Sequence, residues 1–204
     1  MEIKDTYSTI SKPSKEVLFK DRGSKFFGYA FPITITEEVK SNIEDLKQLH
    51  SNAGHFCYAY EIGIDGTNYR YSDDGEPGNS AGAPIYGQLQ SFDVTNVLIV
   101  VVRYFGGTKL GVGGLRNAYK TTAKMALDES DIVEKVITQN YKVEFGYDLM
   151  NEVMRLIKSL NLNIINQEMN ERCIITFEVK LSDAENMKDR FKKLHKATLK
   201  KLAP

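Results

Sequence analysis

Val97 to Val102 is a run of six consecutive aliphatic residues, closed by Arg103. A strand wetted on one face alternates apolar and polar residues, whereas an unbroken run marks a buried strand. A glycine-rich loop follows, then a helical pattern from about Gly114 to Asp128. The rest of the first part supplies the neighbours such a strand needs. Val17–Arg22 and Lys25–Ile33 read as strands around Gly23-Ser24. Thr36 reads as the cap of a helix with Glu37 and Glu38 in its first turn and Val39, Ile43, Leu46 and Leu49 on its apolar face. Phe56–Ile64 and Asn68–Tyr71 read as strands joined through Asp65-Gly66, and Pro84 as the start of a short helix ending near Leu89. Residues 130–139 read as the segment joining two halves.

The second part has a different grammar. Tyr141, Val143, Phe145 and Tyr147 alternate with Lys142, Glu144 and Gly146, as do Cys173, Ile175, Phe177, Val179 and Leu181 with their neighbours. Asp148 is placed to cap a helix bearing Leu149, Val153, Leu156 and Leu160. Residues 162–169 form another apolar run. Ser182 and Glu185 spell a capping box ahead of Ala184, Met187, Phe191 and Leu194. Thr198 to Leu202 closes the series. The order is β-α-β-β-α-β, the ferredoxin-like plan. The expected class is therefore α+β, with a mixed domain over 1–135 and a ferredoxin-like domain over 136–204.

The 204 residues carry 27 basic and 27 acidic groups. Zero net charge argues against a generic nucleic-acid coat protein, but the charge is unevenly placed. Residues 1–136 sum to −3 and 137–204 to +3. Val94 to Leu127 holds five basic residues and no acid, and Lys188 to Pro204 seven basic residues and one acid. No aliphatic run approaches the ~20 residues of a membrane helix, and the N-terminus has no secretory pattern. Cys57 and Cys173 accordingly read as reduced core residues of a cytoplasmic protein.

Chemistry concentrates in two stretches. In the first, Gly106, Gly107, Gly111, Gly113 and Gly114 allow close backbone approach, and a helix N-terminus offers free N–H groups. Lys109 and Arg116 lie beside them. Arg116, Lys120 and Lys124 recur every four residues and so form one stripe. With Arg103, this is an expected site for phosphate, although neither the P-loop nor the dinucleotide spacing is present. The plain alternative is a tight strand–helix connection with a solvated face. In the second stretch, Asp73, Asp74 and Glu76 lie within four residues. They can pair with Arg103 or Lys109, ligate Mg²⁺, or cap the next helix; the capping turn is preferred, and no metal or cofactor is expected. Gly78-Asn-Ser80-Ala-Gly82 matches a nucleophile elbow in letters, but no strand precedes it directly and only His195 follows, so Ser80 is given no catalytic role. His50, His55 and Cys57 lack the spacing of a zinc site. Lys188, Lys192 and Lys196 form a second basic stripe, read as a solvated face or an RNA contact.

Several ordered blocks resemble the YigZ/IMPACT family: Gly54-His55 with Tyr58-Ala-Tyr60, Tyr71-Ser-Asp-Asp-Gly-Glu-Pro77, Ala81-Gly-Ala-Pro84, Arg103-Tyr-Phe-Gly-Gly107 through Leu110-Gly111, and Gly114-Leu-Arg-Asn-Ala-Tyr119. The resemblance spans roughly residues 15–130. It implies an N-terminal domain like the second domain of a small-subunit ribosomal protein and domain IV of EF-G, and a C-terminal domain like EF-G domain V. The chain departs from the family's usual Ser-Gly-Thr run with Gly78-Asn79-Ser80.

The reading that follows is a non-catalytic RNA- or ribosome-binding protein acting on translation or its stress response. One alternative is a Mg²⁺-dependent enzyme acting on a phosphorylated small molecule or nucleotide. A third is a protein-interaction module.

Overall fold

The computed structural model describes residues 5–202; the outer ends of the two expected domains, residues 1–4 and 203–204, lie outside it. The chain divides into two compact units, one of Tyr7–Lys135 and one built from Val136 onward that also takes in Asp5 and Thr6. The whole is mixed α+β with antiparallel sheets. Among the described residues no helix is long and apolar enough to cross a membrane.

The first unit is organised by a five-stranded antiparallel sheet. Its strands are β2 (Val17–Asp21), β3 (Ser24–Pro32), β4 (His55–Ile62), β5 (Asn68–Ser72) and β6 (Val97–Tyr104), in the order β2-β3-β6-β4-β5. β6 is the central strand, and the aliphatic run has a direct cause. Val97, Ile99 and Val101 pack in one cluster with α2 (Gly82–Ser91) and α3 (Gly111–Asp128). Leu98, Val100 and Val102 pack in another with Val39 and Leu46 of α1 (Thr36–Leu49). Each face therefore needs its own apolar set. A short ribbon of β1 (Thr6–Ile10) and β7 (Ile132–Val136) occupies part of the segment expected to be a plain connection.

Two details of α1 differ from expectation. Ile35 is the cap position, and Glu38 satisfies the helix entry by accepting from the Thr34 and Ile35 N–H groups at 2.6 and 3.2 Å. Those bonds hold the Glu38 carboxyl below its usual range. Leu49 is 66% exposed, because the helix ends there and His50 turns inward in its place.

In the second unit β8 (Thr138–Phe145), α4 (Met150–Ser159), β9 (Asn163–Met169), β10 (Cys173–Lys180), α5 (Ala184–Lys192) and β11 (Thr198–Lys201) follow in β-α-β-β-α-β order. The sheet runs β11-β8-β10-β9, all pairs antiparallel. Tyr141, Val143, Phe145, Cys173, Ile175, Phe177 and Val179 form its buried face against both helices. The capping box does not form. Ser182 donates its N–H (2.7 Å) and its hydroxyl to Asp5, and Glu185 pairs with Lys188. Asp148 sits in a 3-10 turn ahead of α4 and reaches Lys196 rather than capping.

Candidate functional site

Arg103 ends β6, and its guanidinium does not reach the rim as a surface anion site requires. The side chain is 6% exposed and donates at 2.6 Å to Glu76, itself 4% exposed. It lies over the rings of Phe26 and Phe105, 5.4 and 5.5 Å from their centroids. The Tyr119 hydroxyl donates at 2.7 Å to the same Glu76 oxygen. Burial first, then the nearby Cys57 and Glu76, push the Tyr119 phenol far above its ordinary value. Arg103 thus leaves the anion surface and becomes an internal counter-ion.

The acidic stretch is consumed in the same way. Asp73 accepts from the N–H groups of Asn79, Ala81 and Gly82 at 2.8–2.9 Å, which fixes the entry to α2. Asp74 accepts from Phe56 N–H at 2.6 Å, and its carbonyl accepts from His55 Nδ1 at 2.8 Å. The three carboxylates face three different partners. Ser80 is fully buried, and its hydroxyl has no hydrogen-bond partner among the described residues. Cys57 donates to the Asp73 carbonyl at 3.0 Å, and burial raises its thiol. Both cysteines are buried and free.

The glycines divide by use. A Cβ on Gly106 would stand 1.9 Å from the Gly23 carbonyl carbon, so two backbones touch here. The Gly106 N–H is also spent, donating to Ser24 Oγ at 3.1 Å. Gly106 is therefore a packing residue and offers no N–H to a ligand. Gly114 is half-buried against Leu110. Gly107 and Gly113 are exposed, with nothing within 4 Å of the Cβ direction.

What remains exposed is cationic. Lys109, Arg116 and Lys120 are exposed and form no ion pair among the described residues. Lys124 is compensated by Asp128 at 2.6 Å. In the second unit each expected lysine has a carboxylate: Lys188 has Glu185 at 2.7 Å, Lys192 has Asp189 at 3.2 Å and Lys196 has Asp148 at 3.5 Å. That stripe carries alternating signs and a much reduced field.

Sequence reasoning placed the two strands of the β2–β3 hairpin around Gly23-Ser24 but did not bring its cations to the site. The Gly23–Gly106 contact brings its turn against the glycine loop, and Lys20, Arg22 and Lys25 are all exposed on it. Three cations within six residues around a glycine turn were the available signal.

A second polar group lies on the α1 side of the sheet. The Tyr104 hydroxyl stands 3.0 Å from His50 Nδ1, His50 Nε2 stands 2.6 Å from the Tyr29 hydroxyl, and Tyr29 donates to Glu16. With Tyr29 donating to Glu16, its oxygen is left to accept from His50 Nε2–H. Burial lowers the His50 pKa, opposed in part by Glu16. A histidine held below its ordinary ~6.5 binds fewer protons folded than unfolded. Stability is then full above that value and is lost as pH falls through it. The first unit's melting temperature is expected to drop between about pH 7.5 and 5.5, and His50→Gln to flatten that slope in a calorimetric pH series.

The comparisons with known proteins fall on this geometry. Residues 22–127 match the Impact N-terminal domain model. An IMPACT family member of Haemophilus influenzae is 33% identical over 76% of this chain and 77% of its own length. The IMPACT family member YigZ of Escherichia coli is 31% identical over 68% of this chain and 78% of its own. A solved structure titled as a hypothetical protein superposes with a TM-score of 0.72 at 25% identity, covering 99% of this chain and 98% of that one.

Proposed function

This chain belongs to the IMPACT family, and from that premise we propose that it binds RNA, free or in the ribosome, through its first unit and acts on translation without catalysis. The observation that carries the reading is the uncompensated set Lys109, Arg116 and Lys120 beside two open glycines, with the neighbouring carboxylates turned inward. Exposed cations with no carboxylate attract phosphate, and open backbone at a helix start adds N–H donors. The ribosomal-protein-like and EF-G-like domains that the family resemblance implies would suit the same destination. The Mg²⁺-enzyme reading would need three carboxylates that already serve the backbone and Arg103. The second unit's paired lysines suit a supporting role.

Fluorescence anisotropy with a labelled RNA stem-loop, titrated across salt, tests the proposal. Lys109→Gln/Arg116→Gln is expected to weaken binding several-fold at about 0.1 M salt and to lower the log–log salt slope by roughly 1.5. No binding by the wild-type protein at about 50 mM salt would overturn it.

A further inference from the structure

At the exposed corner of the five-stranded sheet, Lys20 of β2 stands directly opposite Lys25 of β3, and Lys25 opposite Tyr104 of β6. The next row is Leu18, Phe27 and Val102. Like charges facing each other across an antiparallel pair are destabilising. Neither lysine forms an ion pair among the described residues. A cost of this kind on an otherwise consistent sheet points to a function.

Beside the lysines lie rings. Phe27 and Tyr104 are partly buried and set edge to face, with centroids 5.7 Å apart. Leu18 is 38% exposed. α1 packs over β4, and His50 at its end touches Phe27, Tyr29 and Tyr104. Beyond β4, Lys20, Lys25 and Leu18 remain exposed on this face. The His50 contacts lock both rings, so stacking on them costs little further side-chain freedom. Glu16, bonded to Tyr29, sets a carboxylate beside this group, and Asp21 follows Lys20 at the end of β2.

We infer that this corner binds single-stranded RNA, with bases stacked on Phe27 and Tyr104 and phosphates met by Lys20 and Lys25. Aromatic rings beside a positive track are what single strands require, because an unpaired base offers its π-face and a duplex does not. The hairpin turn carries the exposed Arg22 and abuts Gly106, so the phosphate path continues toward the glycine loop and Lys109. The more exposed rings of Tyr69 and Tyr71, stacked on Tyr86, are anchored by a hydrogen bond from Tyr86 to Glu61 and have no facing lysine pair. The inference rests on the RNA-binding reading and narrows it to a strand type and a face.

The test uses the full chain, a labelled oligo(U) of about 12 nucleotides and an RNA duplex of equal length. The wild-type protein is expected to prefer oligo(U). Phe27→Leu keeps the side chain apolar and removes the ring; it is expected to weaken oligo(U) at least about 5-fold with the salt slope unchanged. Lys20→Gln/Lys25→Gln touches only the surface and is expected to lower the slope by about 1.4. Tyr71→Leu is expected to bind as wild type. If oligo(U) binds the wild type and both corner variants equally, or if Tyr71→Leu alone loses affinity, the corner is not the site and the broader RNA reading stands. Preference for the duplex overturns the single-strand assignment. No binding of either RNA overturns both readings together.

Discussion

Glu76→Leu is expected to remove about 3–5 kcal/mol from the stability of the first unit, because it leaves the Arg103 guanidinium buried without a counter-ion. The pair is 2.6 Å long and both side chains are almost wholly enclosed. For a unit of this size the loss lowers its melting temperature by roughly 10–20 °C. Adding Arg103→Met restores much of it, since two apolar side chains replace two charges of similar reach. A deficit of about 1–3 kcal/mol persists, because the Tyr119 hydroxyl has lost its acceptor. Adding Tyr119→Phe removes that remainder as well. Urea unfolding followed by circular dichroism measures all three steps. A Glu76→Leu protein as stable as wild type would mean that the pair is not internal.

This network shows where sequence reading stops. The Val97–Val102 strand was legible because a continuous aliphatic run has one reading in a sheet, and the period-2 strands of the second unit were legible for the same kind of reason. Arg103 was not. A cation at the end of a buried strand reads equally as a rim residue or as an inward counter-ion. The deciding partner, Glu76, is 27 positions away. Ser182 shows the same limit. Its local capping box was outcompeted by Asp5, 177 positions distant, whose carboxylate accepts both of its donors. Lys109, Arg116 and Lys120 were legible as a local set. Their joining to Lys20, Arg22 and Lys25 was not, because that depends on a contact between two glycines in different strand ends.

That contact gives a second large effect. Gly106→Ala places a methyl carbon 1.9 Å from the Gly23 carbonyl carbon and 2.1 Å from the Ser24 nitrogen. Both neighbours are backbone atoms, so no side-chain rotation relieves the overlap, and the hairpin turn and the glycine loop must part. Parting them also strains the Ser24 hydroxyl, which accepts from Gly106 N–H at 3.1 Å and from Arg103 at 3.3 Å. The expected cost is about 3–5 kcal/mol, in the range of severe single substitutions. Gly113→Ala, seven residues on, is the control. It lies inside α3 with nothing within 4 Å of its Cβ direction, so the methyl group meets only solvent. Replacing a helical glycine by alanine is expected to gain up to about 1 kcal/mol. Two glycine-to-alanine changes seven residues apart, one in the loop and one in the helix that follows, should therefore shift the thermal transition in opposite directions. A Gly106→Ala protein melting with the wild type would separate the hairpin from the loop. The cations at Lys20 and Lys25 would then no longer share a surface with the start of α3.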